Sequence, residues 1–166
     1  MYIKIPEKYN HIMSEFVIRK GSIETLETSF ILLSRFFQEE GFNTPLEELR
    51  TNLHKMITTP ASAVFLAWRE TESLGVATVA TSIGLEYGLS AEIDDLYVLP
   101  DERNCGIASA LIEAVYVWCR SRGVSTILVT VTPEGDEQHK LLEYYQRRGF
   151  SNNGRRILEC ALNKER

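Results

Sequence analysis

The sequence has few residues that could form disulfide bonds or bind a metal ion. It contains three cysteines, Cys105, Cys119 and Cys160, and three histidines, and no two cysteines have C-x-x-C spacing. An odd number of widely spaced cysteines predicts free thiols, and the scattered histidines do not complete a ligand set with them. We therefore expect neither a disulfide framework nor a metal site.

The sequence also lacks long apolar runs. Stretches such as Ala63–Trp68 are far shorter than the ~20 residues that a membrane-spanning helix needs. Residues 1–6 do not have the apolar segment of a signal peptide. These observations predict a cytoplasmic protein that does not associate with membranes.

Basic residues are not in excess, since 18 lysines and arginines stand against 23 aspartates and glutamates, for a net charge of −5. A nucleic-acid partner needs a basic face, so none is predicted, whereas a cationic partner is compatible with this charge. No repeat or Gly/Ser/Pro-rich linker divides the 166 residues. We expect residues 1–166 to form a single domain, with residues 1–15 as an N-terminal extension.

The first third of the chain predicts one strand and two amphipathic helices. The strand is Phe16–Arg19, and apolar residues then recur every three or four positions in a helix that ends near Gly41. Thr44 and Glu47 have the spacing of a capping box. Pro45 would then occupy the first position of the second helix.

The middle of the chain predicts an antiparallel meander of three strands, separated by turn residues. The strands are Ala63–Trp68, Gly75–Ile83 and Ala91–Leu99. A long helix follows, with an apolar stripe made of Ile107, Ala110, Leu111, Ala114, Val115 and Trp118. Gly123 ends this helix, and Thr126–Val131 is predicted to be a strand that follows a crossover helix.

The end of the chain predicts one more helix and one more strand. Asp136 is expected to cap the helix, which carries Tyr145 on its apolar side and ends at Gly149. A turn then leads into a final strand near Ile157–Leu162. The complete order of elements predicts a mixed α/β fold.

The loop before the long helix has the features of an anion site. The first turn of a helix leaves backbone N–H groups without internal partners, and the helix dipole adds roughly half a positive charge there. Gly106 allows close approach of an anion, and Arg103 could add a charged contact to a phosphate. The pattern R-x-x-G-x-A is short and common, so it indicates an anion site only in combination with the surrounding elements.

Those surrounding elements carry a family resemblance. The strand Asp95–Pro100, the loop, the long helix, the strand 126–131 and the run Leu142–Tyr145 followed by Gly149 and Phe150 together resemble the GNAT superfamily of acyl-CoA-dependent N-acetyltransferases. The resemblance covers residues 16–162. It implies a mixed central sheet with an antiparallel N-terminal meander, splayed fourth and fifth strands, and flanking helices.

The resemblance also implies where the donor, acetyl-CoA, would bind. Its pyrophosphate would lie on the loop and first helical turn formed by Arg103, Asn104, Cys105, Gly106, Ile107, Ala108 and Ser109. Its pantetheine arm would pair with the backbone of Leu96, Tyr97 and Val98. Tyr145 would protonate the leaving thiolate, although packing in the core is an alternative role for this side chain.

Attack on a thioester needs a neutral amine, so a carboxylate must accept a proton from the ammonium. The candidates are Glu92, Asp94 and Asp95. Alternation along a regular strand places Asp95 on the face of Ile93 and Tyr97, opposite Glu92 and Asp94. Asp95 ranks first because it adjoins the expected acetyl position. A solvated acidic face is the alternative reading of these three residues.

The acceptor is expected to be a small-molecule amine. Segments that shape the acceptor site in the family carry acidic and aromatic groups here, namely Glu39, Glu40, Phe42, Glu86 and Tyr87. Carboxylates steer ammonium groups, which favours a polycationic acceptor. The chain looks similar to aminoglycoside N-acetyltransferases, which inactivate antibiotics. A peptide or protein N-acetyltransferase and a non-catalytic acyl-CoA-binding module are alternatives, and the family resemblance also implies that a homodimer can form.

Overall fold

The protein is described by a computed structural model that covers residues 16–158, 160 and 162. These residues divide into a first compact unit that ends at Thr130 and a second that begins at Val131. The predicted N-terminal extension, residues 1–15, lies outside the described residues.

The described residues of the first unit form five strands and three α-helices. In chain order they are β1 (Val17–Lys20), α1 (Leu26–Glu39), α2 (Leu46–Thr58), β2 (Ser62–Arg69), β3 (Glu72–Gly84), β4 (Gly88–Val98), α3 (Ile107–Arg120) and β5 (Thr126–Val129). The strands lie side by side in sequence order, β1 to β4 antiparallel and β5 parallel to β4. The predicted antiparallel meander and mixed sheet are confirmed.

The helices α1 and α2 cover one face of the sheet with their apolar stripes. The buried cluster on this face contains Leu32, Leu33, Leu49, Leu53, Val64, Leu66, Val76 and Tyr97. Residues three and four apart share one side of a helix, so the buried leucines of each helix face the strands together. Burial of these side chains is the main stabilising contribution on this face.

The predicted capping box at the start of α2 does not form. Pro45 has an extended ψ of 138° and is itself the N-cap, and no side chain caps the helix. The helix therefore starts one residue later than predicted, and its first turn is closed by the carbonyl of Pro45, which accepts the N–H groups of Glu48 and Leu49 at 2.9 Å each. Thr44 is thereby left outside the cap position.

The helix α3 packs on the opposite face of the sheet. Every residue of its predicted apolar stripe is buried, including Ile107, Leu111 and Val115, which are 1%, 0% and 0% exposed. After α3, Gly123 takes a left-handed φ of 74°, a conformation that glycine adopts at low cost. The chain then returns in β5, parallel to β4, as the crossover prediction required. Among the described residues, no helix is both long and apolar enough to cross a membrane.

The second unit contains two short helices where a single one was predicted. They are α4 (Pro133–His139) and α5 (Leu141–Gln146), separated at Lys140, whose φ of 53° is left-handed and breaks the helical path. The hydroxyl of Thr132, not Asp136, caps α4 by accepting the N–H of Gly135. Asp136 instead accepts the N–H of Leu142, at 2.8 Å, so that it stabilises the start of α5.

The predicted final strand is not present in the described residues. Residues 151–158 and residues 160 and 162 have no strand conformation, and residues 159 and 161 lie outside the described part of the chain. Local hydrogen bonds replace strand pairing here, since the side chains of Asn152 and Asn153 accept the N–H groups of Gly154 and Arg155. Asparagine side chains favour such turns over extended pairing.

Gly75 allows β3 to approach β4 closely, and a substitution there tests whether this close approach limits the packing of the sheet. A β-carbon at this position would meet the carbonyl oxygen of Tyr97 at 2.7 Å and side-chain atoms of Val98 and Ile107 at 3.2 and 3.3 Å. We expect Gly75→Ala to lower the free energy of unfolding by about 1–3 kcal/mol, the usual cost of overpacking. Denaturant unfolding measures this change.

Gly84, at the end of the same strand, is the matched control. A β-carbon there would meet nothing within 4 Å, so Gly84→Ala should leave the unfolding free energy nearly unchanged. Equal effects of the two substitutions would show that the close approach at Gly75 does not limit the packing of the sheet.

Candidate active site

A β-bulge interrupts β4 at Asp94. Ile93 pairs with Val79 and Asp95 pairs with Thr78, so Asp94 is an extra residue without a partner position on β3. An extra residue reverses the alternation of side chains beyond it. Directly paired residues share a face, so Asp95 lies on the face that α1 and α2 cover, whereas Ile93 lies on the α3 face. The prediction that Asp95 and Ile93 share a face is wrong for this reason.

Glu92 lies on the same face of the sheet as Asp95. Glu92 pairs with Ala80, which shares a face of β3 with Thr78. The predicted arrangement, with Glu92 and Asp95 on opposite faces, is therefore also wrong. Both carboxylates project from the side of the sheet that faces α1 and α2.

The pairing between β4 and β5 stops at the bulge. The ladder runs from Ser90 opposite Thr126 to Ile93 opposite Val129, whereas β4 continues to Val98. Among the described residues, no strand pairs with β4 beyond Ile93 on this side. The backbone that includes Leu96, Tyr97 and Val98 thus has an edge without a strand beside it, which agrees with the splayed strands of the family.

Asp95 is the most strongly constrained carboxylate of the site. Thr78 Oγ1 donates to Asp95 Oδ2 at 2.5 Å and accepts the backbone N–H of Asp95 at 3.0 Å. Burial raises the pKa of Asp95, and the hydrogen bond from Thr78 opposes this rise. The carboxyl is therefore held in one orientation and is a stronger base than an ordinary aspartate.

Asp94 and Glu92 complete an acidic cluster beside Asp95. Although Asp94 keeps contact with solvent, partial burial, the charge of Asp95 and the charge of Glu92 raise its pKa to about 6. Glu92 Oε1 accepts a hydrogen bond from Thr130 Oγ1 at 2.8 Å. Three carboxylates in one place make the local potential negative, which favours binding of a cation.

A pocket of about 200 Å³ lies between α1, α2 and β4. Its lining consists of Leu33, Phe37, Thr44, Leu49, Asn52, Leu53, Met56 and Asp95. Five of these residues are apolar, and Asp95 is the only one among them with an ionisable side chain. The pocket therefore presents one carboxylate at the end of a mainly apolar cavity.

The predicted anion loop has the backbone geometry of a binding site. Asn104 and Gly106 have left-handed φ values of 63° and 82°, and Gly106 is the N-cap of α3, with no side chain capping the helix. A β-carbon on Gly106 would meet nothing within 4 Å. The start of α3 is thus open to a ligand, and its first backbone N–H groups are available to an anion.

The side chain of Arg103 contacts the protein itself. Its Nε donates to the carbonyl of Val98 at 3.1 Å, and its Nη2 donates to Glu39 Oε1 at 2.5 Å. Its guanidinium carbon lies 5.7 Å from the centre of the Tyr97 ring. The sequence pattern predicts a phosphate contact for this side chain and does not indicate these contacts within the protein.

The remaining residues of the loop have mixed environments. Ile107 is buried, Cys105 donates a weak hydrogen bond to the carbonyl of Arg103 at 3.3 Å, and Ala108 and Ser109 are half-buried. Backbone groups at these positions, rather than side chains, would contact a pyrophosphate.

The structure brings together only some of the predicted acceptor residues. Phe42 packs against Phe36 and Phe37 with ring centres 5.8 and 5.1 Å apart, and Phe37 lines the pocket. Glu40 follows Glu39, the last residue of α1.

Glu86 and Tyr87 lie in the turn between β3 and β4. Tyr87 is eight residues from Asp95 in sequence, or roughly 26 Å along an extended strand. Glu86 and Tyr87 are therefore distant from Asp95 along β4.

Tyr145 lies in the second unit, where it is buried with 6% exposure. Its ring makes edge-on contacts with Tyr144 and Phe150, at centre distances of 5.2 and 5.3 Å. Such contacts are favourable for aromatic rings. They hold the ring of Tyr145 within its own unit, and a packed ring can still present its hydroxyl to a ligand, so these contacts do not decide between packing and catalysis.

Several residues of the site escaped sequence reasoning. Thr78 binds Asp95 only because of the register of β3 and β4, and sequence periodicity does not reveal that register. Leu33 and Phe37 belong to the apolar stripe predicted for the first helix, but the sequence does not distinguish residues that line a pocket from residues of the core. Arg69 and Glu102 form a two-point ion pair, at 2.6 Å for each contact, that holds the turn before the anion loop.

The model of the acetyltransferase (GNAT) family matches residues 28–150. The chain belongs to this family. As a GNAT member it is an acetyltransferase, and its acyl donor is acetyl-CoA. The match extends on both sides of Thr130, so it includes parts of both units.

Solved structures agree with this GNAT assignment. An integron cassette protein from the mobile metagenome of Cole Harbour Salt Marsh is 28% identical, with a TM-score of 0.76 over 89% of this chain and 91% of its own. The aminoglycoside N-acetyltransferase AAC(6')-Iy in complex with CoA is 21% identical, with a TM-score of 0.77 over 92% and 98%. No curated protein sequence matches the chain.

A third solved structure is an aminoglycoside acetyltransferase, meta-AAC0020, from an uncultured soil metagenomic sample, in complex with sisomicin. It is 19% identical, with a TM-score of 0.70 over 90% of this chain and 97% of its own. At this identity the likeness shows the fold.

The residues of the predicted donor site have a geometry that fits acetyl-CoA. The open backbone at Gly106 and the uncapped start of α3 suit a pyrophosphate, because both present N–H groups without side-chain obstruction. The free edge of β4 suits an extended arm that carries amide groups. Each of these features is provided by backbone.

Because the pKa of Asp94 is raised, replacing this carboxyl with an uncharged group should stabilise the fold by an amount that depends on pH. In the folded protein this pKa is about 6, above its ordinary value of 3.8, so the fold binds the proton more tightly than the unfolded chain does. Ionisation of Asp94 therefore destabilises the fold as pH rises from about 4 to 6. We expect Asp94→Asn to raise the Tm at pH 8 and to leave it unchanged at pH 4.

Thermal unfolding across pH 4–8 measures this effect. The control is Asp101→Asn, at an exposed carboxyl. A shift in Tm that is the same at pH 4 and pH 8 would contradict the assignment of the raised pKa to Asp94.

Proposed function

We propose that this GNAT enzyme acetylates a primary amine of a small molecule by direct attack, with Asp95 as the general base. The observation that carries the proposal is the position of Asp95, which lines a pocket and stands where the free edge of β4 begins. An amine in the pocket would lie beside the backbone that is proposed to hold the acyl donor.

The chemistry follows from the environment of Asp95. Bound acetyl-CoA supplies an activated acetyl thioester. Asp95 accepts a proton from the ammonium form of the acceptor, which leaves a neutral amine, and the raised pKa of the carboxyl makes this transfer easier. Thr78 keeps the carboxylate in place. Tyr145 remains our proposed proton donor for the departing sulfur.

Glu92 and Asp94 are proposed to attract the acceptor and to bind its further ammonium groups. The three carboxylates lie close together, since the charges of Asp95 and Glu92 both raise the pKa of Asp94. Carboxylates that surround a binding site increase the rate of encounter with cations and favour cationic ligands over neutral ones.

Aminoglycosides are the first acceptor class that we propose. Two observations support them: the cluster of three carboxylates, which suits a polycation, and the similarity of fold to two enzymes named as aminoglycoside acetyltransferases. One ammonium group would bind at Asp95, and others at Glu92 and Asp94.

A monoamine with an apolar body is the second candidate. It is favoured by the pocket itself, where apolar side chains such as Phe37 and Met56 surround a single carboxylate. An alkylamine or arylalkylamine would place its amine at Asp95 and its apolar part against α1 and α2, where burial of apolar surface is favourable.

Release of free CoA thiol from acetyl-CoA tests these proposals. The panel contains aminoglycosides, linear polyamines, arylalkylamines and peptides with a free N-terminus. Efficient turnover of aminoglycosides alone would support the first class, and turnover of arylalkylamines alone would support the second. Turnover of peptides alone, or no turnover of any amine, would overturn the proposal of a small-molecule acceptor.

Substitution of Asp95 tests its role with any acceptor that turns over. We expect Asp95→Asn to lower kcat/KM by roughly 10²–10⁴ at pH 7, the usual contribution of a general base. The wild-type rate should rise with pH as Asp95 loses its proton, and this acid limb should be absent in the variant. The assay is initial velocity between pH 5 and pH 9.

Asp101→Asn provides the matched control for Asp95→Asn, because Asp101 is an exposed aspartate outside the proposed machinery. It should keep wild-type kinetics. An Asp95→Asn enzyme that retains full activity and the same acid limb would show that another group accepts the proton.

A further inference from the structure

Arg103 connects two parts of the site that are distant in sequence. It is the first residue of the anion loop, and its ion-pair partner Glu39 is the last residue of α1, 64 positions earlier. Its second hydrogen bond goes to the carbonyl of Val98, the last residue of β4. One guanidinium therefore contacts the loop, the end of α1 and the end of β4.

The partners of Arg103 belong to the proposed acceptor and donor sites. Leu33 and Phe37, on the helix that Glu39 ends, line the pocket. Val98 ends the free edge that is proposed to hold the pantetheine arm. The buried ring of Tyr97 lies between these parts, 5.7 Å from the ring of Phe36 on α1 and 5.7 Å from the guanidinium carbon of Arg103.

The chemistry of the pair favours a positioning role. The side chains of Arg103 and Glu39 are 33% and 32% exposed, so water weakens their attraction and the pair contributes little to global stability. The planar guanidinium nevertheless fixes the directions of both hydrogen bonds. Because Glu39 neutralises the charge of Arg103, less of that charge is available to a phosphate.

We propose that Arg103 is a positioning residue that couples the donor loop to the acceptor pocket through Glu39, and that it is not primarily a phosphate ligand. The proposal rests on the proposed function, because it assumes that the pocket by α1 holds the acceptor. It implies that Glu39, on the acceptor side, influences the binding of the donor. Coupling of this kind is reciprocal between the two ligands.

Equilibrium binding of CoA, without any acceptor, provides the first test. We expect Glu39→Gln and Arg103→Gln each to weaken CoA binding about 3- to 10-fold, within the range of coupling between contacting residues. The double variant should bind no more weakly than either single one. If Arg103 is instead a phosphate ligand, Glu39→Gln frees its charge and should leave CoA binding unchanged or tighter, and that result would overturn the proposal.

Glu27→Gln and Arg50→Gln are the matched controls. These two residues form an ion pair that joins α1 and α2, and neither belongs to the proposed machinery. Both variants should keep the wild-type affinity for CoA. A loss of affinity equal to that of the Glu39 and Arg103 variants would mean that any weakening of α1 has this effect, which would also contradict a specific link.

Steady-state kinetics with an acceptor that turns over provide the second test. We expect Glu39→Gln to raise the KM for acetyl-CoA and the KM for the acceptor by about 3- to 10-fold, with kcat within about 2-fold of wild type. A merely structural role would lower the active fraction, and hence kcat, with both KM values unchanged. The CoA-binding test remains valid if no acceptor is found, so failure of the proposed function and failure of this link are distinguishable.

Discussion

The register change at Asp94 is the constraint on which the site depends. In a regular strand Asp95 would lie on the face of Ile93, against α3. One additional residue turns Asp95 to the side of α1 and α2, where Glu92 already lies. Pairing with β5 ends at the same point, and a bulge distorts a strand locally and so disfavours further pairing. The carboxylates and the free backbone edge therefore arise together from a single local irregularity.

The architecture could be predicted because each element carries its own pattern. The apolar stripe of α3 and the apolar residues of the three meander strands mark the faces that each element buries. This periodicity is visible in the sequence even when the packing partners are unknown. The glycines at 106 and 123 mark left-handed positions, so the boundaries of α3 were also readable. The anion loop belongs to this class, because its function depends on backbone conformation.

Features that depend on contacts between distant residues could not be predicted. The hydrogen bond of Thr78 to Asp95 requires knowledge of register, and the ion pair of Arg103 with Glu39 joins positions 64 residues apart. The break at Lys140 depends on the side chain of Asp136, which accepts the N–H of Leu142. A cap was foreseen at Asp136, but for a different helix, because sequence alone does not show which N–H a carboxylate will meet.

In the function that we propose, the two halves of the reaction rely on different parts of the chain. Recognition of the donor would depend on backbone groups at the start of α3 and along β4, which tolerate many changes of side chain. Similarity of fold at 19–28% identity is therefore compatible with a common donor site. The proposed acceptor pocket is lined mainly by side chains of α1 and α2, so a single substitution there, at Phe37 or Met56 for instance, would alter its shape. Because Asp95 lies on β4 and not on either helix, the proposed acceptor could change while the proposed base and donor site stay in place.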